Sequence, residues 1–137
     1  MKILLTIIFL SLLSSSCSTP SEDLVVRDGL YYKKFSEVPF SGKVTGLRNG
    51  SIKNGKAEGE WVGYWDDGQL MYKGNYKNGK REGAWVEFWN DGQLHNKGNY
   101  KNGKEEGAWI SYWSNGQLRV KGNYKNGAQE GAWVSYF

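Results

Sequence analysis

The chain has 137 residues and a formal net charge of +4, with 19 Gly, 7 Trp, one Cys and one His, and only 39% of its residues are hydrophobic. One cysteine excludes an internal disulfide, and one histidine beside it excludes a zinc cluster or a Cys–His catalytic pair. The weak basic charge is interspersed with acids and does not mark a nucleic-acid binder, and abundant Gly without a Gly-X-Y period excludes collagen. Few aliphatics and many aromatics imply a thin core of stacked rings.

At the N-terminus, Met1-Lys2 is a short positive start. An apolar run of 11 residues from Ile3 to Leu13 follows, then Ser14-Ser15-Ser16 and Cys17. This is the layout of a secretory signal, and the run is far short of the ~20 residues of a spanning helix. With Cys17 at the end of the small-residue site, the segment resembles a bacterial lipoprotein signal. The resemblance implies that residues 1–16 are a signal peptide and that Cys17 carries a lipid anchor. Residues 17–23 then read as the lipidated cysteine and a polar tether. The implied location is the bacterial cell envelope, on a membrane surface facing the periplasm or exterior.

Residues 24–60 form a less regular lead-in. Leu24-Val25-Val26 and Leu30-Tyr31-Tyr32 are short strand candidates around the turn signal Arg27-Asp28-Gly29. Gly50, Asn54, Gly55 and Gly59 lie 24 residues before Gly74, Asn78, Gly79 and Gly83, so the lead-in contains a degenerate first repeat. Terminal repeats are expected to be atypical because they cap a stack.

Residues 61–137 hold three 24-residue repeats and a partial fourth, restarting at Trp61, Trp85, Trp109 and Trp133. A period of this length is the signature of a repeat architecture. Within one copy, Trp61 to Trp65 suits a strand, Asp66-Asp67-Gly68 a turn, and Leu70 to Tyr76 a return strand. Asn78-Gly79 is a tight-turn signal leading to the next copy. On the return strand, alternation places Leu70, Tyr72, Gly74 and Tyr76 on one face and Gln69, Met71, Lys73 and Asn75 on the other, which faces water. Gly74 leaves room for a ring from a neighbouring strand, with Trp61 or Trp65 as the natural occupant. The first strand does not alternate cleanly, since Val62 and Tyr64 are as apolar as Trp61 and Trp65, and neither face is assigned to the core. The predicted fold is all-β: stacked antiparallel hairpins in an extended single-layer sheet.

The run Tyr64-Trp65-Asp66-Asp67-Gly68-Gln69-Leu70, with Lys73-Gly74-Asn75-Tyr76-Lys77-Asn78-Gly79-Lys80 and Gly83-Ala84-Trp85, resembles the bacterial variant of the MORN repeat. With the Tyr31-Tyr32 lead-in and Pro39-Phe40-Ser41-Gly42, the wider arrangement is similar to the YwqK family, whose members are often labelled antitoxins. The resemblance implies a non-catalytic binding or scaffold protein, with an antitoxin or immunity protein neutralising a toxin as the alternative.

Asp66, Asp67, Asp91, Glu82, Glu106 and Glu130 are read as turn chemistry rather than catalytic acids, and no metal, cofactor or catalytic residue is expected. Lys73, Lys97 and Lys121 recur in register and make a ladder spaced ~10 Å apart on a stacked sheet, which either keeps the sheet soluble and unaggregated or suits an acidic protein or anionic lipid. Copies differ at Met71, His95 and Arg119, at Gly63, Glu87 and Ser111, and at Tyr72, Asn96 and Val120. The candidate binding surface is Lys73, Lys97, Lys121, Met71, His95 and Arg119. The partial fourth copy, with Trp133, Tyr136 and Phe137, is a candidate edge strand for a partner or for edge-to-edge self-association. The expected partners are a toxin or envelope protein and the membrane; nucleic acid is not among them.

Overall fold

The computed structural model describes residues 17–137, and the expected signal segment 1–16 lies outside the described residues. Thirteen strands follow one another: β1 (Thr19–Pro20), β2 (Leu24–Arg27), β3 (Leu30–Lys33), β4 (Gly42–Thr45), β5 (Arg48–Lys53), β6 (Lys56–Tyr64), β7 (Leu70–Lys77), β8 (Lys80–Phe88), β9 (Leu94–Lys101), β10 (Lys104–Glu105), β11 (Gly107–Tyr112), β12 (Leu118–Lys125) and β13 (Ala128–Ser135). Apart from β2 and β3, which pair with each other, all of them join one sheet in the order β1-β4-β5-β6-β7-β8-β9-β11-β12-β13, with β10 on β9. Each strand from β4 to β9 pairs with the next in sequence, so hairpins stack without crossovers. No helix among the described residues is long and apolar enough to cross a membrane.

The 24-residue period becomes two turns per copy. Asn78 and Gly79 take φ of 51° and 79°, both in the left-handed region that a two-residue hairpin turn needs and that Asn-Gly supplies. At the other turn Asp67 Oδ1 accepts from Gln69 N–H at 2.9 Å, as Asp91 does from Gln93 at 3.0 Å. Glu58, Glu82 and Glu106 accept the backbone N–H of Asn78, Asn102 and Asn126 at 2.7–2.8 Å. These carboxylates each tie one repeat to the turn of the next. Of the acids read as turn chemistry, Asp67, Asp91, Glu82 and Glu106 are therefore structural, although Glu82 lies inside β8 and Glu130 inside β13 rather than in a turn. Glu82→Ala is expected to cost about 1 kcal/mol through the lost charged hydrogen bond, measurable by urea denaturation.

The core is a ladder of rings on one face of the sheet. Trp61, Tyr76, Trp85, Tyr100, Trp109, Tyr124 and Trp133 follow one another edge to face, with centroids 4.9–6.1 Å apart. Such pairs contribute about 0.5–1.5 kcal/mol each beyond burial. A Cβ on Gly50, Gly74, Gly98 or Gly122 would stand 2.0–2.3 Å from Trp61, Trp85, Trp109 or Trp133. The ring over Gly74 is thus Trp85 and not Trp61 or Trp65. Trp61 does stand opposite Gly74 in the β6–β7 register, but its side chain crosses back onto β5 over Gly50. Each repeat-opening tryptophan, Trp61, Trp85, Trp109 and Trp133, packs on the preceding hairpin, which is how one repeat grips the last.

At the N-terminal end the aromatic face gains a second layer. Tyr31 of the β2–β3 hairpin stacks on Trp61 at 6.4 Å, and Leu24 and Tyr31 pack against the buried cluster Phe40, Val44, Ile52, Ala57 and Trp61. Tyr31 N–H bonds Gly55 O at 2.8 Å. The segment expected to be a tether is also engaged. Thr19 and Pro20 pair in parallel with Val44 and Thr45, and Ser21–Asp23 form a short 3₁₀ turn. Thr19 is buried there; only Cys17 and Ser18 precede the sheet among the described residues.

Candidate binding surfaces

Cross-strand register assigns the two faces that the sequence left open. Trp61, Gly63, Tyr72 and Gly74 share the aromatic face. On the opposite face, Lys73 stands between Val62 and Val86, Lys97 between Val86 and Ile110, and Lys121 between Ile110 and Val134. A single row, Val62-Lys73-Val86-Lys97-Ile110-Lys121-Val134, therefore crosses the sheet with aliphatic and ammonium groups in alternation. The lysine ladder expected from the sequence exists. The aliphatic ladder interleaved with it was missed, although its signal, an apolar residue after each repeat-opening tryptophan, is in the sequence.

From Val86 onward the row floors a concavity of about 660 Å³ lined by Ala84, Ala108 and Ala132, by Val86, Ile110 and Val134, and by Lys97, Lys121, Leu94 and Tyr112. Its extent follows from one substitution between copies. Lys73 Nζ pairs with Glu60 at 3.0 Å, and 24, 48 and 72 residues further on Glu60 is replaced by Ala84, Ala108 and Ala132. Removing the carboxylate opens the space and leaves Lys97 and Lys121 without an ion pair among the described residues.

Met71, His95 and Arg119 do not stand with the lysines. Register slips at Gly63/Tyr64, Glu87/Phe88 and Ser111/Tyr112, so that Gly63 pairs with Tyr72 but Tyr64 with Leu70, and likewise in the other copies. Met71, His95 and Arg119 are the extra residues of these three β-bulges. A bulge breaks period-two alternation. Beyond it the expected faces exchange: Leu94, the counterpart of Leu70, lines the lysine-face groove, while Met71 and His95 line a cleft with Trp65, Tyr72 and Glu87. The His95 ring lies 3.7 Å from Trp89 between centroids. Burial, aided by Arg119 and opposed by Glu87, lowers its pKa, which keeps it neutral at neutral pH. Arg119 lies over Trp113 at 4.9 Å.

The other positions that differ between copies form a polar chain on the aromatic face. Arg81 Nη1 donates to Glu87 at 3.2 Å and to Tyr100 OH at 3.0 Å. Asn96 Nδ2 donates to Glu87 at 2.9 Å and Ser111 Oγ to Asn96 Oδ1 at 2.6 Å. Glu87 and Asn96 occupy the places held one copy earlier by Gly63 and Tyr72, whose ring lies directly over that glycine.

At the C-terminal side β13 has β12 as its one neighbour in the sheet among the described residues. The residues expected at this edge differ in their surroundings. Trp133 is seated on Gly122 and Tyr124 and donates to Asn123 O at 3.2 Å. Tyr136 N–H bonds Arg119 O at 2.9 Å, and Phe137 is fully exposed. Cys17 is exposed and free.

An open sheet built by stacking one hairpin, with its aromatic rings turned to one side and a charged groove on the other, is a repeat-based binding or scaffold protein. The particular repeat is the MORN repeat variant, which matches residues 57–78, 81–102 and 105–126; the chain is a MORN-repeat protein. The matched units begin four residues before each of Trp61, Trp85 and Trp109, at the second residue of β6, β8 and β10. No curated protein matches the chain.

Proposed function

We propose that the chain is a non-catalytic scaffold lipoprotein of the bacterial cell envelope, anchored through Cys17, whose lysine-face groove holds an acidic amphipathic helix of a partner protein. The observation that carries this reading is the row Val86-Lys97-Ile110-Lys121-Val134 above three alanines. The aliphatic side chains supply an apolar floor. The two lysines, which lack carboxylate partners among the described residues, supply charge complementarity. Alternate strands put them ~10 Å apart, and two turns of helix rise ~10.8 Å, so carboxylates seven residues apart on the partner reach both. The apolar face of the same helix, three and four residues from those acids, meets Val86, Ile110 and Val134. A lipid on Cys17 is supported by the signal-like segment before it and by its exposure.

The test is crosslinked capture from native cell envelopes, with mass spectrometry, of partners of the wild-type chain and of Lys97→Glu/Lys121→Glu. Both substitutions lie on exposed side chains, so unchanged tryptophan fluorescence is expected. One dominant acidic protein captured by the wild type and lost at least about tenfold in the variant is the expected result, since two charge-assisted contacts are reversed. Equal capture by both chains overturns the groove reading. A dominant partner that is a toxin places the same surface in an antitoxin, and vesicles of anionic lipid retained in place of protein point to a membrane surface instead.

A further inference from the structure

On the opposite face, where the β2–β3 hairpin ends and the ring ladder becomes open, lies a second cleft of about 220 Å³. It is lined by Tyr31, Arg48, Ala57, Trp61, Tyr72, Tyr76 and Arg81. We propose that this cleft binds a small oxyanion, the carboxylate or phosphate group of a soluble ligand, between Arg48 and Arg81.

The charges around the cleft do not balance. Arg81 is half-buried and is offset by Glu87. Arg48 forms no ion pair among the described residues, so two guanidiniums face one carboxylate. Of the five N–H donors of Arg81, Nη1 is engaged by Glu87 and Tyr100. The guanidinium is fixed in place by lying 4.2 Å above Trp85. The hydroxyls of Tyr31 and Tyr72 make no hydrogen bond that competes for them among the described residues.

The groups also act on one another. Arg48 lowers and Tyr76 raises the titration of both Tyr31 and Tyr72, beneath a larger upward push from burial. Arg81 acts on Tyr72 as well. The two cations and the phenols therefore share one partly desolvated space, in which an anion gains more from each contact than it would in water.

The arrangement arises because the lead-in is degenerate. Arg48 occupies, one period earlier, the position of Tyr72, and it stands opposite Gly63 in the β5–β6 register. Ala57 occupies the position of Arg81. A repeat like the next one, with Tyr72 at this position, would place a second ring at position 48 and fill the cleft. The irregular one leaves a cation there, and Ala57 leaves space beneath it. A carboxylate or phosphate held between the arginines would present the rest of its ligand to the rings of Tyr31 and Trp61.

The full chain would be titrated, by tryptophan fluorescence and by backbone NMR shifts, with inorganic phosphate and separately with 4-hydroxybenzoate, at constant ionic strength set with chloride. At least one probe is expected to saturate, with its largest shifts at Arg48, Tyr72 and Arg81. Arg48→Gln, at an exposed side chain that makes no hydrogen bond or ion pair among the described residues, is expected to weaken that probe about tenfold by removing a charged contact, while Lys53→Gln changes nothing. Saturation by phosphate alone identifies a phosphorylated ligand, and saturation by 4-hydroxybenzoate alone an organic acid. Failure of both probes to saturate the folded chain, or equal binding by Arg48→Gln, overturns the proposal.

Discussion

Trp85→Ala is expected to lower the unfolding free energy by about 3–5 kcal/mol, the cost of truncating a large ring in a well-packed core. Trp85 is 2% exposed. It meets Tyr76 and Tyr100 edge to face and Tyr72 at 5.6 Å, carries Arg81 above it, and donates its indole N–H to Asn75 O at 3.1 Å. Its neighbours are backbone and rings of both flanking hairpins, which cannot collapse into the space without breaking strand pairing. Trp113 is the contrast: it is 41% exposed, and alanine there is expected to cost less than half as much. Urea denaturation of both variants, followed by far-ultraviolet circular dichroism, checks the difference. Equal losses would show that the ring ladder is not what holds the repeats together.

Gly74→Ala is expected to be nearly as damaging for a side chain of one carbon. The new Cβ would stand 2.2 Å from Cδ2 of Trp85, and the ring has no free direction in which to move. Overpacking of this kind costs about 1–3 kcal/mol, and the upper part of that range applies where the obstacle is a rigid ring. The sharper measurement is the double variant. With Trp85→Ala in place the clash is gone, and Gly74→Ala is expected to be close to neutral, a coupling of about 1–3 kcal/mol. Additive losses would mean that the glycine is needed for backbone conformation rather than for ring access. Gly59→Ala does not serve as a substitute, because Gly59 has positive φ and open space where its Cβ would lie.

Much of the fold is legible in one dimension. The 24-residue step, the Asn-Gly turns and the small-residue gap at Gly74 together imply stacked hairpins with rings packed on glycines, and the family match covers those same hairpins. What alternation does not convey is the bulge. Met71, His95 and Arg119 look like ordinary strand residues, yet each is inserted against an unbroken partner strand, and everything before it on its strand changes face. That insertion separated them from Lys73, Lys97 and Lys121 and brought Leu94 to the groove. The occupant of Gly74 was misplaced for a related reason. Register sets which backbones are opposite, whereas a long indole reaches the next strand over. The groove itself depends on Glu60 giving way to alanine in later copies, a change of volume that only the stacked arrangement turns into a cavity. The pairing of Thr19 and Pro20 with β4 left even less trace, because a dipeptide carries no period.

That short parallel pairing has a mechanical consequence for the lipid proposed on Cys17. A loose tether of several residues would let the sheet tumble above the bilayer and sample every tilt. With one residue between Cys17 and the docked Thr19, the proposed anchor point and the first edge of the sheet would move as one body. Successive strands would then rise from the surface at ~4.8 Å each, like floors from a foundation. The groove over the later repeats would stand at the upper storeys, roughly 20–40 Å from the headgroups. A partner helix would have to come from across the aqueous gap or from a protein that projects as far, and helices lying flat on the same membrane would pass beneath it.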